Sequence, residues 1–182
     1  MRATYTTGAD GGARIATVIY PYPSGSTVPR FERVSSCEQH GMIVTFPNGV
    51  RDHLLCAGAD GKIQYRDVRA TAAAVYWREE ADRVATAFLR KGRRLSYPGG
   101  GVPGFESEQD VSIVIKGTAW QIVSPGTPVS FLFPGIVDVE IDGVVAPPSL
   151  RVNGKIRAYI PAGNHRLVIR IASTAPGSNL KN

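Results

Sequence analysis

Alternating apolar and polar residues near the C-terminus constrain the fold of this chain more than any other feature. Residues 137–141 read Val-Asp-Val-Glu-Ile, the period-two pattern of a strand with one dry face. Two further apolar series lie within residues 156–171, on either side of Gly163-Asn164. If these two residues form a hairpin turn, Ile160 lies opposite Leu167 and the apolar residues pair throughout. The stretch therefore predicts an antiparallel β module.

The same hairpin predicts a basic outer face, because the side chains that alternate with the apolar ones point away from the core. We expect these side chains, with one arginine from the preceding loop, to form a polyanion-binding patch: Arg151, Arg157, Tyr159, Arg166 and Arg170. A second basic patch is predicted from Arg90, Lys91, Arg93 and Arg94 with Tyr97. The alternative for the first patch is that Asp138, Glu140 and Asp142 on a neighbouring strand neutralise it in a solvated surface network that contributes little net stability.

Composition favours short strands over helices. The 182-residue chain contains 20 glycines and 13 prolines, with 43% hydrophobic residues, which suits strands joined by tight turns. We predict an all-β fold over residues 13–172, an antiparallel β-sandwich of two packed sheets with little or no helix. Residues 1–12 and 173–182 are expected to be loose. Residues 98–104 are either a linker that divides the chain or a long loop.

Two segments predict local pairings. Pro47-Asn48-Gly49 predicts a three-residue hairpin loop that places His40 opposite Cys56 and Asp52 opposite Val44. The expected core residues of this hairpin are Met42, Val44, Phe46, Val50, Leu54 and Cys56. Residues 70–90 fit two strands joined at Ala81-Asp82 better than a helix, although the spacing allows both. Further strands are expected at residues 14–20, 31–35, 110–116, 118–123 and 129–133, with Trp77 and Trp120 in the core.

Charge and cysteine content limit the partners. The net charge of +6 favours polyanions, although it also serves solubility. No apolar run reaches the ~18 residues of a membrane span. Residues 1–5 lack the apolar stretch of a secretory signal, so we expect either a cytosolic chain or a piece whose signal lies elsewhere. Cys37 and Cys56 are expected to be thiols, and nucleic acid is disfavoured because no binding motif accompanies the charge.

No spacing in the sequence assembles a catalytic or metal site. His53 follows Asp52, but neighbours on a strand point to opposite faces, so we expect a partly exposed histidine without a catalytic role. His40 and His165 are expected in turn regions beside glycines. Two cysteines and three histidines show no zinc-ligand spacing. We therefore predict no catalytic residue, no metal and no cofactor.

Five short motifs occur in order along the chain: IATVIYP at 15–21, NGVRD at 48–52, DG at 60–61, RLSYPG at 94–99 and IPAGNH at 160–165. In this order they resemble the C-terminal β-sandwich region of heparinase II/III-like polysaccharide lyases. The resemblance implies an antiparallel sandwich that follows an α/α toroid in enzymes that cleave uronate-containing polysaccharide by β-elimination. The toroid is absent here, and the family's catalytic tyrosine, histidine and asparagine match no position of this sequence.

The resemblance therefore implies a non-catalytic C-terminal module of a lyase. Such a module would support the catalytic domains of the parent lyase, bind acidic (uronate or sulfated) polysaccharide, or both. A parent of this kind implies a periplasmic or secreted location. The alternative from another class is an immunoglobulin-like structural or adhesion module with no sugar ligand.

Overall fold

A computed structural model describes residues 25–35, 39–81, 83–97, 103–152 and 154–172. In these ranges the chain forms strands and turns, and none of these residues is helical. The strands in chain order are β1 (Arg30–Ser35), β2 (Gln39–Thr45), β3 (Arg51–Ala57), β4 (Lys62–Tyr65), β5 (Val68–Glu80), β6 (Arg83–Ser96), β7 (Gly104–Lys116), β8 (Ala119–Leu132), β9 (Ile136–Ile141), β10 (Val144–Val145), β11 (Leu150–Val152) and β12 (Lys155–Ile171). The predictions for residues 1–12, 14–20, 98–102 and 173–182, and for Cys37, fall outside the described residues.

Hydrogen bonds join all twelve strands into one sheet. The main path runs β1-β2-β3-β5-β6-β7-β8-β12-β9-β10, while β4 pairs with β5 and β11 pairs with β12. Every pairing is antiparallel. The predicted all-β antiparallel fold is confirmed. The prediction of two separate packed sheets is not confirmed, because the ladder is continuous from one edge to the other.

The five longest strands, β5 to β8 and β12, bend near their middle, so the sheet folds over on itself. Trp120 and Phe131 are both on β8, and eleven residues of straight strand span roughly 35 Å. Their ring centroids are nevertheless 5.5 Å apart. The ring of Phe105 on β7 also lies 6.4 Å from Trp120. The two ends of each bent strand therefore face each other across one core.

This fold-over divides the sheet into two halves. The narrow half contains β4, β11 and one end of each bent strand, and the wide half contains β1, β2, β3, β9, β10 and the other ends. The narrow-half segments of the bent strands are residues 68–72, 94–96, 104–107, 127–132 and 155–160. Since the inner faces of the halves pack together, their outer faces lie on opposite sides of the molecule.

The crease between the halves changes which side chains face the core. On β12 the core residues are Ile156 and Ile160 in the narrow half, but Leu167 and Ile169 in the wide half. The numbers change from even to odd because the strand turns over within residues 161–166 while it stays paired to β8 in one register. Glycines with positive φ lie at this crease on both paired strands: Gly126 (φ 91°) and Gly163 (φ 129°).

The predicted C-terminal hairpin is therefore wrong. β12 continues through residues 163–164, where Gly163 pairs with Ser124, and Ile160 lies opposite Thr127. Leu167 lies between Trp120 of β8 and Ile141 of β9. Residues 129–133 do not begin a separate strand either, because residues 129–132 are the end of β8. The core positions change from even to odd residue numbers along β12 because the strand bends at the crease, and not because the chain reverses in a hairpin.

The local hairpin predictions are confirmed. His40 pairs with Cys56, and Val44 pairs with Asp52, while Gly49 has the expected positive φ of 84°. Residues 70–90 form β5 and β6 with a turn at Ala81, as expected for two strands. Trp77 and Trp120 are buried, as predicted.

The buried face of the β2–β3 hairpin is opposite to the predicted one. Ile43, His53 and Leu55 are buried, whereas Leu54 is 45% exposed. Apolar residues are consecutive at positions 42–44 and 54–55, so both faces of the hairpin carry apolar side chains. Alternation alone therefore could not tell which face is buried. Cys56 forms no disulfide with any described residue.

Candidate functional site

The fold-over separates the members of the first predicted basic patch. Arg157 and Tyr159 lie on the outer face of the narrow half, where they alternate with buried Ile156, Ala158 and Ile160. Arg166 and Arg170 alternate with the buried residues of the wide half, so they lie on the opposite side of the molecule. The structure therefore does not bring these four residues together.

Three arginines of that patch have carboxylate partners. Arg151 lies at the edge of the fold, where Nη2 is 2.8 Å from Oδ1 of Asp138 and Nη1 bonds to the carbonyl oxygen of Val137. Arg170 pairs with Glu140, and Arg157 pairs with Glu108. The neutralising network considered from the sequence therefore exists for Arg151 and Arg170, through two of the three acidic residues expected there.

The second predicted patch is also divided. Arg94 is exposed on the outer face of the narrow half, where Nε lies 3.4 Å from Oε1 of Glu106. Arg90 is exposed near the crease of β6. Tyr97 follows β6 and lines a pocket at the end of the fold. Arg94 consequently lies on the same face as Arg157 and Tyr159, a grouping that the sequence analysis did not predict.

One cross-strand row explains this grouping. Lys62, Thr71, Arg94, Glu106, Ser130 and Arg157 follow one another across β4, β5, β6, β7, β8 and β12. The next rows add Arg69, Lys155 and Tyr159, and Glu108 joins them through its ion pair with Arg157. This outer face carries five cationic side chains and two acidic ones; we call it the cationic face (Lys62, Arg69, Arg94, Lys155, Arg157 and Tyr159).

Tyr159 is the most accessible aromatic ring on the described part of the chain, with 58% of the residue exposed. It lies opposite Pro128. A Cβ added to Gly126 would lie 2.9 Å from the Tyr159 hydroxyl, so the side chain reaches over that glycine. The ring therefore lies along β8 on the surface of the sheet, between the cations of β12 and the crease.

A pocket opens at the end of the fold where the two halves meet. Its volume is about 170 Å³, and its lining comes from β3, the β4–β5 turn, β5 and the end of β6: Arg51, Arg66, Asp67, Val68, Trp77, Glu79 and Tyr97. Val68 is in the narrow half and Trp77 is in the wide half. The fold-over thus builds this pocket from residues that are distant in sequence.

Glu79 is a buried carboxylate at the wall of this pocket. Its Oε1 accepts a hydrogen bond from Nε1 of Trp77 at 3.1 Å, and its Oε2 lies 3.2 Å from Nε of Arg51. Burial alone would raise the pKa of Glu79. The hydrogen bond from Trp77 and the charge of Arg51 outweigh burial, so the pKa of Glu79 is lowered and the carboxylate stays ionised.

His53 lies behind the pocket and is fully buried, which corrects the expectation of a partly exposed residue. Its ring stacks on Trp77 at a centroid distance of 4.4 Å and an angle of 4°. Nε2 is 3.2 Å from Oε2 of Glu79, but neither ring nitrogen has a hydrogen bond of good geometry among the described residues. Burial lowers the pKa of His53 although Glu79 acts in the opposite direction. The imidazole is therefore neutral at pH 7.

The two remaining polar walls of the pocket come from Tyr97 and the β4–β5 turn. Burial, the charges of Glu79 and Asp67, and the side-chain interaction with Glu79 raise the pKa of Tyr97. Arg66 is exposed in the turn, with its guanidinium 5.5 Å from the centre of the Tyr65 ring. Its φ of 51° is in the left-handed region, which is unfavourable for arginine.

His40 lies within β2 and His165 within β12, rather than in turns, which corrects the sequence prediction for both. The Nδ1 atom of His165 is 2.7 Å from Oδ2 of Asp142, and this hydrogen bond raises the pKa of His165. No group of three or more His, Cys, Asp and Glu side chains in the described ranges is arranged to hold a metal ion.

The sequence analysis missed the residues around Glu79. The sequence analysis assigns no site role to Glu79 or to Arg51. The signal that joins them is the pairing of β3 with β5, which places Arg51 opposite Glu79 and His53 opposite Trp77. β3 and β5 pair although β4 lies between them in the sequence, so no local turn signal predicts their register.

Comparisons with known proteins assign no family to this chain. No protein-family model matches it, and no curated protein matches it at a significant level. In the part of the chain that the structure describes, no helix has the length and apolar character needed to cross a membrane.

Proposed function

We propose that the chain is a non-catalytic β module that binds acidic polysaccharide through its cationic face. The observation that carries the proposal is Tyr159, an exposed ring beside Arg157 on a face with five cations and two carboxylates. Carbohydrate sites stack sugar rings on aromatic side chains, and guanidinium groups bind carboxylate or sulfate in a bidentate manner. The motif resemblance supports the same class, the C-terminal module of a heparinase II/III-like lyase whose catalytic domains it supports.

The existing ion pairs on this face are compatible with ligand exchange. Glu106 contacts both Arg94, at 3.4 Å, and Lys155, at 3.6 Å, while Glu108 contacts Arg157. Exposed ion pairs contribute only about 0–1 kcal/mol, so an incoming polyanion displaces them at little cost. Lys62 and Arg69 have no carboxylate partner in the described ranges, and both are exposed.

Retention on immobilised heparin and alginate tests the proposal. The variant Arg94→Ala/Arg157→Ala removes two charges from the cationic face, and we expect it to elute at clearly lower salt than the unmodified chain. The matched control is Arg166→Ala/Arg170→Ala, which removes the same charge from the outer face of the wide half. We expect this control to elute close to the unmodified chain.

Two results would contradict the proposal. Equal shifts for the two variants would show that retention depends on net charge rather than on this face. Absence of retention at low salt would favour the structural or adhesion module considered as the alternative. The variant Tyr159→Ala separates stacking from charge, because it leaves every cation in place and is expected to weaken retention on both resins.

A further inference from the structure

We infer that the pocket beside Glu79 binds a single six-membered sugar ring that carries a carboxylate, the end residue of an acidic glycan. The pocket lies apart from the cationic face. The proposed function concerns binding along a glycan chain, and the pocket would add binding of its terminal residue. The inference rests on that proposal only for the choice of a sugar. Size, charge and backbone strain at the pocket each support it.

The size of the pocket fits one ring. A cavity of about 150 Å³ is enough to hold a benzene molecule. The pocket measures about 170 Å³ and opens to solvent between the two halves of the sheet. This volume matches one ring, so the pocket suits the end residue of a chain.

The chemistry of the walls fits a ring with hydroxyls and one carboxylate. Trp77 and Val68 provide an apolar floor. Glu79 is already held by Trp77 and Arg51, so its charge is compensated within the protein. Arg66 also lines the pocket, and its guanidinium, which lies near the Tyr65 ring, suits a carboxylate; Asp67 beside it suits sugar hydroxyls.

The backbone at Arg66 is an independent indication. A left-handed φ costs a non-glycine residue about 1–2 kcal/mol, and such strain is concentrated at functional sites. The sequence nevertheless has arginine at this position, with φ 51°, and its side chain lines the pocket while its guanidinium lies 5.5 Å from the centre of the Tyr65 ring. A glycine would form the same turn without strain, but it would supply no cation.

Titration with glucuronate and galacturonate, followed by NMR, tests the inference. Trp77 Nε1–H donates to Glu79 at the pocket wall, so we expect its indole resonance to shift saturably with either sugar acid. The indole N–H of Trp120 bonds to the carbonyl oxygen of Gly117 within the hairpin and serves as an internal reference that stays unchanged. Glucose, which lacks the carboxylate, is expected to bind about tenfold more weakly.

Arg66→Gly is the informative variant, because it removes the cation and relieves the positive φ. We expect at least unchanged thermal stability together with about tenfold weaker uronate binding. The matched control is Arg69→Ala, which removes an exposed cation of the cationic face three residues away and should leave the Trp77 shift intact. Unchanged uronate binding by Arg66→Gly would overturn the inference.

The outcomes separate this inference from the proposed function. Retention on heparin and alginate without any Trp77 shift would overturn the pocket assignment and leave the cationic face standing. A saturable Trp77 shift without retention on either resin would support the pocket and contradict the proposed polysaccharide surface.

Discussion

His53 is a buried titratable group whose protonation links stability to pH. Its ring is enclosed by Trp77, Tyr65 and Glu79, and the cations of Arg51 and Arg66 act on it as well. Burial is the largest influence and lowers its pKa below the ordinary value of about 6.5, against the attraction of Glu79. The folded state therefore favours the neutral imidazole, whereas the unfolded chain takes up a proton at the ordinary pKa.

The stability contribution of neutral His53 is complete above about pH 6.5 and is lost as the pH falls through the lower folded pKa. We expect the free energy of unfolding in urea to decline over this window. His53→Phe keeps a ring against Trp77 but cannot titrate, so the decline should become shallower.

His165→Asn is the comparison of opposite sign. The bond to Asp142 raises the pKa of His165, so its contribution is present below the ordinary pKa and is lost as the pH rises through the folded pKa. Its removal should make the acid-side decline steeper. An unchanged pH profile in His53→Phe would contradict the assignment of this titration to His53.

Among the strands, β6 illustrates how a long strand turns over at the crease. Gly92 lies where the pairing of β6 with β7 is irregular, and a Cβ there would lie 2.8 Å from Cβ of Ala72 and 2.2 Å from Cδ2 of Leu89. We expect Gly92→Ala to lower the free energy of unfolding by about 1–3 kcal/mol, because the added methyl group overpacks the core at the bend.

Arg90→Ala is the control for Gly92→Ala, since Arg90 is exposed on the same strand and loses volume rather than gaining it. Its effect should stay within about 0.5 kcal/mol. Urea unfolding monitored by tryptophan fluorescence measures both variants. Equal stability of Gly92→Ala and the unmodified chain would mean that the strands do not pack closely at this bend.

The difference between a hairpin turn and a bend within a long strand explains which parts of the fold were predictable from sequence. The loops at residues 47–49 and 117, and the turn at Ala81, join neighbouring strands, so each local signal was sufficient to determine the pairing. Residues 163–164 carry the same kind of signal, but they lie at a crease. A hairpin turn and a bend in a long strand both use glycine with positive φ, and only the partner strand distinguishes them.

The arrangement of the whole sheet lay beyond sequence analysis for the same physical reason. β12 pairs with β8, so that Ile156 meets Phe131 and Leu167 meets Trp120 across long sequence separations. Alternation identified almost all of these residues as apolar faces of strands. It contained no information on which face meets which partner, and the grouping of Arg94 with Arg157 depends entirely on that pairing.

One core shared by both halves predicts that they unfold together. Phe131 of the narrow half is fully buried, with its ring 5.5 Å from Trp120 of the wide half. Phe131→Ala is expected to destabilise the chain by about 3–5 kcal/mol, because the cavity is opened between the halves and neither half closes it alone. The control Val123→Ala lies on β8 with 55% of Val123 exposed, and we expect a change within about 0.5 kcal/mol.

The shape of the transition is the decisive part of that experiment. Near-ultraviolet circular dichroism reports the packing of the aromatic side chains, chiefly buried Trp77 and Trp120, and far-ultraviolet circular dichroism reports the strands of both halves. We expect the two signals to change at the same urea concentration in the unmodified chain and in Phe131→Ala, since strands that run through both halves couple them covalently and through the core. Two separate midpoints would show instead that the crease divides the chain into independently stable units, in which case the loss of Phe131 should affect mainly the narrow half.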